Sequence, residues 1–107
     1  MIIQFNTDKT IHARSPLTKE VEASLHTSLS HLEEHLSRVE VHLTDENGAK
    51  SGGEDIRCVM EARPEGHQPI AVTHHASDVY DAIHGAADKL KSTLEHTFGR
   101  IKEEKQS

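Results

Sequence analysis

The chain opens with alternation, Ile3 and Phe5 falling on one face of a short β-like run over Met1–Asn6. Thr7–Arg14 is polar and reads as a connection. Ser15-Pro16 then supplies a capping hydroxyl followed by proline at a first helical position. Leu17, Val21, Leu25, Leu29, Leu32 and Leu36 recur in steps of three and four. That stripe predicts one amphipathic helix of about twenty residues. Alternation returns at Arg38–Thr44, with Val39, Val41 and Leu43 on one face and Glu40 and His42 on the other. Asp45–Asp55 is rich in glycine and acidic residues and reads as a loop. Ile56–Arg63 alternates again, Pro64–His67 carries turn residues, and Ile70, Val72 and His74 mark a further strand. Pro69 puts the beginning of that strand at an edge or outside the ladder. Ser77-Asp78 caps a second helix with the stripe Val79, Ile83, Ala86/Ala87, Leu90, Leu94, Phe98 and Ile101. Residues 103–107 are expected to fray.

The order is βαβββα. Two amphipathic helices and a sheet apolar on one side predict an α+β, two-layer fold, a four-stranded sheet with both helices packed on one face. The other face, with Glu40, His42, Arg57, Glu61, Arg63 and Thr73, is left to solvent. A length of 107 residues suits a single domain spanning 1–107. The chain is 34% hydrophobic and 3% aromatic, so its core is lean and aliphatic.

Charge limits the partners. Twelve Lys+Arg against 18 Asp+Glu give −6, which disfavours indiscriminate binding to nucleic acid or anionic membranes, and no DNA partner is expected. Protonating all ten histidines would move this to +4. The single cysteine, Cys58, excludes an internal disulfide and a CxxC redox motif. No apolar run is long enough for a membrane span, and the N-terminus lacks a signal pattern. These features predict a cytoplasmic protein.

Catalytic patterns are sparse. His31-Leu32-Glu33-Glu34-His35 fits the inverted zinc-protease motif H-x-x-E-H. Leu32 and Leu36 belong to the core stripe, however, which leaves His31 and His35 on a solvated surface as a weak divalent-metal candidate at most. His74 and His75 point to opposite faces of a strand. Cys58 alternates with Ile56 and Met60 and reads as core. Asp45–Gly48 has the wrong offsets for a calcium loop. No phosphate loop or nucleophile elbow occurs. The reading is a non-enzyme without a cofactor. The basic residues remain: Lys89, Lys91, Arg100, Lys102 and Lys105 on or after the second helix, and Arg14, Lys19, Arg38, Arg57 and Arg63 elsewhere. Lys89 and Lys91 flank the stripe, where they can meet phosphates as point charges.

The stretch Asp78-x-Tyr80-x-Ala82-Ile83-x-x-Ala86-x-Asp88-Lys89-Leu90-x-x-x-Leu94 resembles the signature helix of the ribosome hibernation factors. This is the family of the hibernation-promoting factor and the ribosome-associated translation inhibitor, formerly the sigma-54 modulation proteins. Arg38–Leu43 and Cys58–Pro64 resemble its second and third strands, and Leu32–Val39 the end of its first helix. The resemblance covers nearly the whole chain, in the short form of the family.

It implies a cytoplasmic factor that binds the small ribosomal subunit near the decoding region. There it overlaps mRNA and tRNA sites and silences translation sterically under stress or in stationary phase. The implied contacts to 16S rRNA come first from the basic strip Lys89, Lys91, Arg100 and Lys102, then from Arg14, Lys19 and Arg38. Helix one carries Glu22, Ser28 and His31 where relatives are basic, and helix two carries Ser92, His96 and Phe98. An alternative is a divergent member that binds a protein partner without the ribosome. His26, His31, His84 and His96 would add positive charge to the helices on acidification. The oligomeric state is left open.

Overall fold

The computed structural model describes residues 1–8, 11, 15–46 and 56–106, with side chains apart from those at 15, 16 and 100–106. The elements are β1 (Ile2–Thr7), α1 (Ser15–Leu29), a single 3-10 turn (Glu33–His35), β2 (Leu36–Asp45), β3 (Ile56–Pro64), β4 (Ile70–Ala76) and α2 (Val79–Gln106). The strands lie in the order β1-β2-β3-β4. β1 runs parallel to β2, while β3 is antiparallel to both its neighbours. This is the expected four-stranded α+β architecture, in the order βαβββα.

Alternation decides which sheet face is buried. Val39, Val41 and Leu43 of β2 and Ile56, Cys58, Met60 and Ala62 of β3 point into the core. They meet Val21, Leu25 and Leu29 of α1 and Ala82, Ile83, Ala86, Ala87, Leu90 and Leu94 of α2. α2 lies on β3 and β4 and beside α1. Asp78 starts it: its carboxylate accepts from the Asp81 N–H at 3.3 Å and its carbonyl from the Ala82 N–H at 3.0 Å. The helical backbone runs through Gln106.

The first helix is shorter than its stripe. α1 stops at Leu29, and Leu32 lies in a turn whose N–H donates to the Leu29 carbonyl at 2.8 Å. Leu36 already belongs to β2, opposite Pro64. Both leucines are still buried, so one core wall takes residues from a helix, a turn and a strand. Spacing of three and four is satisfied by all three routes. The bulge between Leu36 and Arg38 is tied across the ladder by Ser37, whose hydroxyl donates to the Arg63 carbonyl at 3.1 Å.

The connection after β1 also differs. Ile11 is buried, held by its N–H donating to the Asp8 carboxylate at 3.0 Å. The other Asp8 oxygen accepts from the Asp45 N–H at 2.9 Å, joining the ends of β1 and β2. Asp45 itself pairs with Ile56, so the loop expected from Asp45 begins later, and 47–55 lie outside the described residues. Pro64–His67 forms the expected turn, with Gly66 at φ 77°. Only glycine takes that φ at little cost. Pro69 stands outside β4, as its missing N–H requires.

Candidate nucleic-acid interface

α2 carries four of the expected cations, of which Lys89 and Lys91 have described side chains. Lys89 is exposed, and its ammonium donates to the carbonyl of Thr73 in β4 at 2.9 Å. Lys91, two positions on, is rotated by about 200° around the helix. It therefore shares the opposite flank with His84 and Glu95, which face α1 and the turn after it. Lys89 and Lys91 do not form one strip. A shallow hollow of about 530 Å³ between β4 and α2 is bordered by Lys89, Thr73, Ser92 and Thr93. The Arg100 and Lys102 side chains, and Arg14 altogether, lie outside the described residues.

Lys19 is exposed on α1 and, like Lys91, forms no ion pair among the described residues. Arg38 is on the other side of the molecule, half-buried on the open sheet face. Its guanidinium lies 3.8 Å from Glu40, and its Nε is enclosed without a partner. Glu40 also accepts from Arg63 at 3.3 Å, and Arg63 reaches Glu61 at 3.5 Å. The four expected contacts whose side chains are described, Lys19, Arg38, Lys89 and Lys91, thus do not gather on one surface. Arg57, which the strand pattern left on the open face, is exposed there, with no ion pair among the described residues.

The histidines are mostly taken by glutamates. His84 meets Glu20 at 2.6 Å, His31 meets Glu95 at 3.0 Å, and His75 meets Glu46 at 2.8 Å. His26 pairs with Glu33, and His35 lies 3.5 Å from Glu34. No local pattern reveals such partners, because two of the pairs join residues 64 positions apart. A second groove, about 290 Å³, runs between the helices past Glu20, His84 and Asp88.

His31 and His35 are not one turn apart on a helix: His31 lies in the turn after α1 and His35 in the 3-10 segment. His35 is engaged instead against the Phe98 ring, with centroids 5.6 Å apart. Among the described residues no group of three or more His, Cys, Asp or Glu side chains could hold a metal. Burial pushes the Cys58 thiol up to about 12, so the thiolate a nucleophile needs is disfavoured. His74 faces the helices and His75 solvent, the split expected of adjacent strand residues.

No helix among the described residues is long and apolar enough to cross a membrane. The curated proteins include no significant sequence match. Several solved structures share the fold. The N-terminal domain of Protein Y from Thermus thermophilus superposes with a TM-score of 0.72 at 20% identity, covering 91% of this chain and 99% of that one. A ribosomal subunit interface protein from Coxiella burnetii gives 0.76 at 15% identity, covering 92% and 99%. The profile of one family matches residues 10–102, from α1 through most of α2, with β1 ahead of the match. The chain belongs to the sigma 54 modulation protein / S30EA ribosomal protein family.

Proposed function

We propose that this chain is a ribosome-associated factor that binds the small subunit through 16S rRNA near the decoding region and blocks translation sterically. The family match over residues 10–102 carries this reading. It is supported by a neighbour of the same fold described as a ribosomal subunit interface protein. The chain acts as one cytoplasmic domain, without a cofactor and without covalent chemistry. Occupancy of the mRNA and tRNA path is the whole mechanism. Lys89, Lys91, Arg100 and Lys102 on α2 supply the leading phosphate contacts, with Arg14, Lys19 and Arg38 behind them. Lys89 and Lys91 project from opposite flanks, so they reach two separate stretches of RNA backbone. Such contacts recognise shape and phosphate position rather than base sequence.

Sedimentation of the purified protein with small subunits and whole ribosomes, at low and moderate salt, tests this. Co-migration should weaken steeply as salt rises, because phosphate contacts release counterions. Lys89→Glu/Lys91→Glu should abolish it, and neutral replacements should lower the salt slope by roughly one per lost contact. A second reading, a module for a protein partner, is favoured by the acidic residues Glu20, Asp88 and Glu95 between the two lysine flanks. Absence of co-migration even at low salt would select it.

A further inference from the structure

Two contacts of the same kind join the α1 side of the helix layer to α2. Glu20 of α1 meets His84 of α2 at 2.6 Å, and His31, in the turn after α1, meets Glu95 of α2 at 3.0 Å. Carboxylate and imidazole exchange sides between the two. Because 20 faces 84 and 31 faces 95, the helices run in the same sense. The two latches are about 16 Å apart along α2. Between them Ala23, Ser24, Thr27 and Ser28 face a groove shared with Ala87.

The surroundings of each latch are mainly acidic. Asp88 of α2 borders the groove beside Glu20 and His84, where α1 otherwise offers hydroxyls and a methyl group. His31 is faced by Glu33 and Glu34 of the 3-10 turn and by Met1 at the chain start, around a hollow of about 560 Å³. Glu33 and Glu34 are themselves met by His26 and His35. Lys91 stands one turn before Glu95 on the same flank of α2.

We infer that these reciprocal latches make the helix layer a pH-responsive surface, which takes up RNA phosphate more readily as the cytoplasm acidifies. The inference rests on the ribosome-binding reading above. A neutral imidazole on a carboxylate leaves each latch with one negative unit, and an imidazolium leaves none. Protonation of His31 and His84 thus removes two negative units from the helix surface that carries Lys91. No helix has to move. The latches also tighten, since each hydrogen bond becomes charge-assisted at both ends.

The test is small-subunit binding at pH 7.5 and pH 6.0 at fixed salt. For the wild-type chain affinity should rise about three- to tenfold at the lower pH, because fewer negative units oppose the phosphates. His31→Gln/His84→Gln should lose most of that rise. Glu20→Gln/Glu95→Gln should already bind at pH 7.5 nearly as the wild type does at pH 6.0. Equal wild-type affinity at both pH values, or an undiminished rise in the histidine variant, overturns the inference and leaves ribosome binding intact. If the wild type binds at neither pH, the functional reading itself has failed. A double-mutant cycle of His84→Gln with Glu20→Gln in urea unfolding then judges the latch. Its coupling should be about two- to fivefold in the folding constant at pH 6.0, and fall towards one at pH 7.5. A coupling that ignores pH overturns the latch.

Discussion

The two outer surfaces of this molecule carry charge in different ways. On the open sheet face, arginine pairs with glutamate: Arg38 and Arg63 share Glu40, and Arg63 also reaches Glu61. His42 is exposed on the same face and His75 meets Glu46 there, so histidine is confined to part of it. Over the helices, histidine pairs with glutamate, and the sum depends on protons. The same kind of carboxylate is met mainly by arginine on one side and by histidine on the other. The partner, rather than the number of acidic residues, decides how a surface of this net-acidic chain meets a polyanion.

The comparison is broken most severely from beneath. Leu25→Ala, at a fully buried α1 position, should cost about 2–5 kcal/mol in urea unfolding and loosen α1 and its latches together. Gly85→Ala comes next. A Cβ there would lie 2.2 Å from the ring of His74, which fills the space beneath α2. We expect a loss of about 1–3 kcal/mol, since ring or helix must shift. Gly99→Ala is the control, with nothing within 4 Å of the added carbon, and should be neutral or slightly stabilising.

Cys58 gives a pH signature from inside the sheet. Its thiol is held up at about 12 against the ordinary 9.0 by burial, so an unfolded chain loses that proton first. Its contribution is intact below pH 9 and shrinks as pH rises towards 12, by at most about 1.4 kcal/mol per unit. The alkaline limb of the stability curve, compared between wild type and Cys58→Ala, should show this slope only in the wild type. The smallest effect belongs to the open face. Arg63→Ala should cost less than about 1 kcal/mol, because exposed ion pairs are weak, and its cost should not change between pH 6.0 and 7.5. A clear change there would dissolve the contrast between the two surfaces.

Much of the fold is readable residue by residue. The α2 stripe from Val79 to Phe98 and the Asp78 cap specify one helix, and alternation in β2 and β3 specifies which face is buried. The end of α1 is not readable in the same way. Leu32 and Leu36 keep helical spacing while the chain leaves the helix, because the core accepts a leucine from any element that delivers it. Ile11 is hidden for a related reason, its burial depending on an Asp8 carboxylate that also holds Asp45, 37 positions away. At the candidate interface, helical rotation puts Lys89 and Lys91 on opposite flanks. Which flank faces β4 and which faces α1 depends on packing. The histidine–glutamate partners lie beyond local pattern altogether, since tertiary packing alone brings 20 to 84 and 31 to 95.

The bond from Lys89 to the Thr73 carbonyl has a consequence for how copies of this chain behave in a crowded solution. β4 is the last strand of the sheet, and an open strand edge is a template on which a foreign extended segment can grow. An ammonium seated on one of its carbonyls must be evicted before any such strand can add. Lys89 therefore blunts that edge in the manner of a gatekeeping charge, and replacing it would uncover the Thr73 carbonyl.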